Sequence, residues 1–139
     1  MTIIAAVDRS DRASEVVAQA AELSTFVDEP VHVVHALTRS EFVNLGATSA
    51  QAEKPLDMDE VRDAAAEMAE ESVPDINVPY ETVGIVGDPA DEIVEYAANV
   101  DARYIVVRPR RRSPAGKALF GSVAQSILLN ASCPVVTIP

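Results

Sequence analysis

The chain has one cysteine, Cys133, no tryptophan, three tyrosines and three phenylalanines in 139 residues. A single cysteine excludes an intramolecular disulfide framework and any multi-cysteine zinc site. Lysine is nearly missing as well. Lys54 and Lys117 are the only two, and the remaining basic residues are arginines. Against 11 Lys and Arg stand 22 Asp and Glu, a net charge of −11. That balance argues against nucleic acid as a partner, because like charge repels phosphate. Acid-rich, lysine-poor chains suit a high-salt cytoplasm, where long-range repulsion is screened; an ordinary acidic protein is the plainer alternative. No apolar run approaches the roughly 18 residues that cross a bilayer, so membrane insertion is not expected. The start, MTIIAAVDRS, has no basic n-region before its apolar run, and Asp8 ends that run at once. It therefore reads as no signal peptide. The expectation is a cytoplasmic protein with a single domain over residues 1–139.

What is present is periodic. The hydrophobic fraction of 48% supports a real core. Residues 3–7, 31–37, 80–86, 104–107 and 135–138 are short apolar runs of strand length. Between them, apolar residues recur at helical spacing. Ala13, Val16, Val17, Ala20 and Leu23 mark one helix, with Ser10 or Asp11 expected to cap it. Met58, Val61, Ala65 and Met68 mark a second with an acidic outer face. Asp88-Pro89 starts a third, a capping carboxylate followed by proline in the first turn. Gly121 and Ser122 open a fourth. Residues 38–56 are small and polar with no clear period, and read as a long loop. Strands alternating with amphipathic helices predict an α/β fold, a doubly wound open sheet of five parallel strands with helices on both faces. Ligands of such sheets bind beyond the carboxyl ends of the strands, where strand order reverses.

The charge is uneven along the chain. All acids but Asp101 lie in residues 1–100, and Arg108, Arg110, Arg111, Arg112 and Lys117 crowd one ten-residue stretch. That stretch runs into the helix opened by Gly121-Ser122. A helix N-terminus attracts anions, glycine lets a ligand approach the backbone, and clustered arginines strengthen a phosphate site. Arg108, Arg110, Arg111, Arg112 and Lys117 are thus a candidate anion site; the plainer reading is a solvated loop that pairs with acidic neighbours. Gly116-Lys117 has the ending of a phosphate-binding loop but fails its pattern, since Arg111 holds the earlier glycine position and Ala118 follows the lysine. His32 and His35 stand three apart on one strand and face opposite sides, which is poor geometry for a shared metal. No metal site is expected, and His35 reads as a core histidine. Cys133 reads as a buried structural thiol. Ser122 has no histidine near it in sequence and no G-x-S-x-G elbow exists, so no catalytic residue is assigned.

Taken in order, Val7–Ser10 (VDRS), Val33–Ala36 (VVHA), Gly87–Ile93 (GDPADEI), Tyr104–Val107 (YIVV), Gly121–Gln125 (GSVAQ) and Cys133–Val136 (CPVV) resemble the universal stress protein (UspA-like) family over essentially the whole chain. The resemblance implies an adenine-nucleotide alpha-hydrolase-like sandwich that often dimerises through its last strand, with ATP-binding and non-binding members. In the ATP-binding members a G-x2-G-x9-G-[S/T] motif follows strand four. Placed on this chain, its glycine positions are Arg108, Arg111 and Gly121, with Ser122 last. The resemblance further assigns Asp8, Ala36 and Val123, with Arg108, Arg111, Gly121 and Ser122, to the nucleotide site.

The second half of the motif survives and the first does not. An arginine carries a Cβ and a long side chain, and a left-handed φ costs it about 1 kcal/mol or more. Pro109 also removes a donor. The usual ATP pose is therefore not expected. The arginines either occupy the phosphate site themselves, with Arg108 or Arg111 pairing with Asp8 to close the pocket, or hold a phosphate, a sulfate or a nucleotide in another pose. The expectation is a stress-associated protein that acts by binding and not as an enzyme, a homodimer joined through Val135, Val136, Thr137 and Ile138. Two alternatives remain open: an ATP switch in which arginines replace glycines, and a module regulating a protein partner such as a transporter.

Overall fold

The structure, a computed structural model, describes residues 1–44, 57–109, 111–112, 118–119 and 121–139, with the backbone alone described at 111–112 and 118–119. Five strands, β1 (Thr2–Ala6), β2 (Val31–Leu37), β3 (Tyr80–Val86), β4 (Ala102–Val107) and β5 (Val135–Thr137), form one sheet in the order β3-β2-β1-β4-β5. Every pairing in it is parallel. The predicted sheet is the observed one, and β1 is its centre because IIAA is apolar on both faces. Ile3, Ile4 and Ala5 are wholly buried.

The helices α1 (Ala13–Val27), α2 (Met58–Glu70), α3 (Pro89–Asn99) and α4 (Ser122–Asn130) cover both faces. Ile3, Ala5, Val31 and Val33 point to one side, where Val16, Val17 and Ala20 of α1 and Ala69 of α2 meet them. Ile4, Ala6, Val34 and Ile105 point to the other, against Ile93 and Ala97 of α3 and Ala124 and Ile127 of α4. Burying each of the larger side chains contributes about 1.5–3 kcal/mol. At Gly84 on β3 the approach is close enough to require glycine: a Cβ there would lie 2.5 Å from Ala66 N and 2.6 Å from Ala65 Cβ of α2.

Two local expectations are corrected. Residues 39–44 are helical, not loop; residues 45–56 lie outside the described residues. The cause is a capping box on Thr38-Arg39-Ser40-Glu41. The Glu41 N–H donates to Thr38 Oγ1 at 3.2 Å, and the Thr38 N–H donates to Glu41 Oε1 at 3.4 Å. Neither Ser10 nor Asp11 caps α1. Its N-cap is Arg12, without a side-chain cap, and Asp8 Oδ1 instead accepts the Ser10 N–H at 3.0 Å. That bond spans Arg9, which is left-handed at φ 68°.

Beyond β4, a two-residue antiparallel ribbon pairs Arg111 with Leu119 and Arg112 with Ala118. No helix among the described residues is long and apolar enough to cross a membrane.

Candidate functional site

Strand order reverses between β1 and β4, and at that point a cavity of about 1110 Å³ opens at the carboxyl ends of the strands. Val7 and Asp8 line it after β1, His35 and Ala36 from β2, and Val107 and Arg108 from β4. Gly121, Ser122 and Val123 enter from α4, Ala13 and Val16 from α1, and Thr38, Ser40 and Glu41 from the helical segment after β2. Six of the seven residues assigned to the nucleotide site, Asp8, Ala36, Arg108, Gly121, Ser122 and Val123, therefore share one cavity. The seventh, Arg111, is described by its backbone only.

The start of α4 differs from those of α2 and α3. Asp57 and Asp88 cap α2 and α3, accepting from Asp59 N and Asp91 N. The α4 N-cap is Gly121, at φ −67° and ψ 167°, with no side-chain cap among the described residues. A Cβ on Gly121 would meet no atom within 4 Å. Among the described residues no side chain caps the first turn of α4, so its N–H groups and partial positive charge lie on the cavity side of Gly121 and Ser122 without a side-chain acceptor. Ser122 beside it is exposed.

Arg108 behaves otherwise than the pairing expected with Asp8. Its side chain is 16% exposed and turns toward α1. Nε donates to the Pro139 carbonyl at 3.2 Å and lies 3.9 Å from Glu15 Oε2. Arg12 joins from the other side, with Nη2 2.9 Å from the same Glu15 oxygen and 3.4 Å from the Pro139 carbonyl. Glu15 draws both guanidinium groups because it is the carboxylate one turn into α1, facing the end of the sheet. Arg108 is not among the described non-glycine residues with positive φ, so this position holds an arginine without backbone strain. The expected anion-site residues Arg110 and Lys117 lie outside the described residues, and the side chains of Arg111 and Arg112 do too.

His35 is the site residue that composition and spacing undervalued. It is buried at 3% exposure. Its Nδ1 is 3.0 Å from the Val7 carbonyl and its Nε2 is 3.0 Å from Glu41 Oε2. Thr38 Oγ1 donates to the other Glu41 oxygen at 3.1 Å. Burial alone would raise the Glu41 carboxyl, but the hydrogen bond and charge of His35, with the Thr38 donors, hold it below the usual carboxylate value. The sequence signal for Glu41 was the T-x-x-E spacing of the capping box.

His32 faces the opposite side of the sheet, as its spacing predicts. Its Nδ1 is 2.6 Å from Tyr96 Oη and its Nε2 is 3.5 Å from Glu81 Oε2. Burial, then the Glu81 charge, raises the Tyr96 hydroxyl. Burial likewise raises the Cys133 thiol, which packs against the α3–α4 core. Val135 and Val136 are half-buried on β5, Thr137 is exposed, and Ile138 follows with its N–H donated to the Val107 carbonyl at 3.1 Å. β5 is an outer strand whose one neighbour in the sheet is β4.

The sequence profile of the universal stress protein family matches residues 1–139. A universal stress protein of Methanocaldococcus jannaschii is 28% identical over 136 residues, 98% of this chain and 80% of that protein. The solved universal stress protein of Archaeoglobus fulgidus is 33% identical, with TM-score 0.68 over 100% of this chain and 98% of its own. A structure of the universal stress protein from Archaeoglobus fulgidus in complex with dAMP is 30% identical, with TM-score 0.64 and the same coverage.

Proposed function

The chain belongs to the universal stress protein family, and from that premise we propose that it acts by binding an adenine nucleoside monophosphate in the cavity at the ends of β1, β2 and β4. The observation that carries this reading is the uncapped α4 start. Gly121 and Ser122 leave one anion position open beside a cavity large enough for a nucleotide. One phosphate fits one helix N-terminus. A polyphosphate needs the close backbone approach of early glycines, and Arg108 and Arg111 stand in their places. The dAMP complex of a 30% identical relative supports the same ligand class. Ala36 presents backbone to the base, and a small anion such as phosphate or sulfate takes the α4 position when no nucleotide is bound. His35, the histidine of the cavity, has both ring nitrogens engaged, which favours binding over catalysis.

Residues 1–139 act as one cytoplasmic domain in this reading, and two copies join by pairing β5 across a two-fold axis. An unpaired apolar edge strand is otherwise a liability. A change of ligand then alters the surface offered to a regulatory protein partner. The test is isothermal titration at molar salt with AMP, Mg-ATP and inorganic phosphate in parallel. Micromolar AMP binding, about −8 kcal/mol, with Mg-ATP weaker, is expected. Tighter Mg-ATP than AMP overturns the monophosphate reading and restores the ATP switch. No binding of any titrant moves the function to the basic loop or a partner surface. Light scattering checks the dimer, which a monomer for both wild type and Val136→Asp would refute.

A further inference from the structure

The geometry points to a shared proton between His35 and Glu41 that clasps the 39–44 segment onto the cavity wall and couples nucleotide affinity to pH. This rests on the nucleotide reading of the cavity. The Val7 carbonyl can only accept, so His35 Nδ1 must carry a hydrogen at 3.0 Å. Nε2 then faces Glu41 Oε2, also at 3.0 Å. An ionised carboxylate also only accepts. The contact therefore holds one proton between the two groups, as imidazolium facing carboxylate or as neutral ring facing carboxylic acid. Either way the pair is neutral overall. The lowered Glu41 carboxyl favours the first form.

Removing that proton leaves a ring lone pair pointed at a carboxylate, with no hydrogen bond and one uncompensated negative charge on the lining of the cavity. Two consequences follow. Glu41 is pushed off His35, and the 39–44 helix, whose capping box uses the same carboxylate, loses its polar tie to β1 and β2 and keeps only the packing of Phe42 on Leu37, Val61 and Ala65. The unpaired charge also repels an anionic ligand. Among the described residues, the groups facing His35 from the packed elements supply no other charged donor. β3 presents Gly84 opposite it in register, and α1 presents Ala13 and Val16. α2 meets the neighbouring Leu37 with Val61 and Ala65. Asp8 adds negative charge, and Arg108 is turned to Glu15. Arg39 is exposed.

The test uses the full chain, AMP as the probe, and ring ¹⁵N NMR of the two histidines from pH 5.5 to 9. His35 Nε2 is expected to give the ¹⁵N shift of a hydrogen-bearing nitrogen while the contact to Glu41 is closed. AMP affinity should fall on the order of tenfold as the ring loses its proton, a usual size for coupling between two sites. Glu41→Gln is the informative variant. Its amide oxygen can keep accepting from Thr38 while its NH₂ donates to a neutral His35 Nε2, so the clasp stays closed and affinity becomes flat with pH. Glu41→Ala removes the clasp and should bind weakly at every pH. A neutral His35 ring together with an ionised Glu41, while the 39–44 helix stays docked, overturns the shared proton. A doubly protonated ring with pH-independent AMP affinity overturns the coupling. AMP binding at no pH, with the ring titration intact, overturns the coupling and the nucleotide reading together while leaving the clasp itself in place.

Discussion

Gly121→Ala separates binding from folding at the α4 start. The glycine backbone is at φ −67° and ψ 167°, a region open to any residue. A Cβ there would meet nothing within 4 Å, so the substitution causes no clash. Two small stability effects oppose each other. Alanine is a poorer N-cap than glycine, by at most about 1 kcal/mol. Alanine also restricts the unfolded chain, a gain of about 0.4–1 kcal/mol. The net change is close to zero, a shift of Tm under about 3 °C for a chain this size. Binding responds differently, because the methyl group stands between the ligand phosphate and the first-turn amides. Losing or lengthening one hydrogen bond to a charged group costs about 1.5–3 kcal/mol. At 1.4 kcal/mol per factor of ten, AMP affinity falls on the order of 10- to 150-fold. Thermal melting and titration calorimetry on the same preparation decide the matter. An unchanged AMP Kd in the variant refutes the α4 amides as the phosphate position. A large drop in Tm would instead show that the open space at Gly121 is not open.

Gly84→Ala has the opposite signature: its Cβ would press on Ala66 N and Ala65 Cβ, so α2 must lift from β3 at a cost of about 1–3 kcal/mol or more, read as a lower urea midpoint, and an unchanged midpoint refutes the close packing. Acid should unfold the wild type partly through Glu41. Its folded carboxyl titrates below the unfolded value of 4.5, so the stability it adds is present above 4.5 and is lost as pH falls through the lower folded value. Glu41→Gln should flatten that limb below the unfolded value of 4.5, and equal slopes for both proteins would refute the pairing. With a net charge of −11, Tm should rise with added KCl toward molar salt as self-repulsion is screened; a flat or falling Tm would show that the acidic faces carry no net repulsion in the fold.

The sheet was legible because its central strands β1, β2 and β4 are short apolar runs buried on both faces, while β3 and β5, at the edges and only half-buried, were legible from their β-branched residues. The helices were legible by period, and Asp88-Pro89 by capping chemistry, which the Asp91 N–H contact bears out at 3.1 Å. The α1 cap was misread because the local choice among Ser10, Asp11 and Arg12 depends on Asp8 folding back on Ser10 around a left-handed Arg9. The helical start at 39–44 was missed for another reason. Apolar period is absent there, and a capping box announces a helix start without any period at all. His35 could not be placed from sequence beyond burial. Its partners are a carbonyl 28 residues away and a glutamate whose position depends on that same capping box.

Arg108 explains why a broken phosphate motif need not mean a closed site. Both Arg108 and Asp8 line the cavity, but the guanidinium turns to α1 and not to Asp8. The fold supplies a better partner outside. Glu15 and the Pro139 carbonyl lie beside α1, where Arg12 already points, and a guanidinium with a carboxylate and a carbonyl is more fully satisfied than one with a carboxylate alone. Arg108 therefore takes the place of a glycine, and among the described residues its guanidinium is held by Glu15 and the Pro139 carbonyl. In the nucleotide reading proposed above, arginine at 108 and 111 denies a long phosphate chain the backbone approach that early glycines allow, while a single phosphate needs only the start of α4.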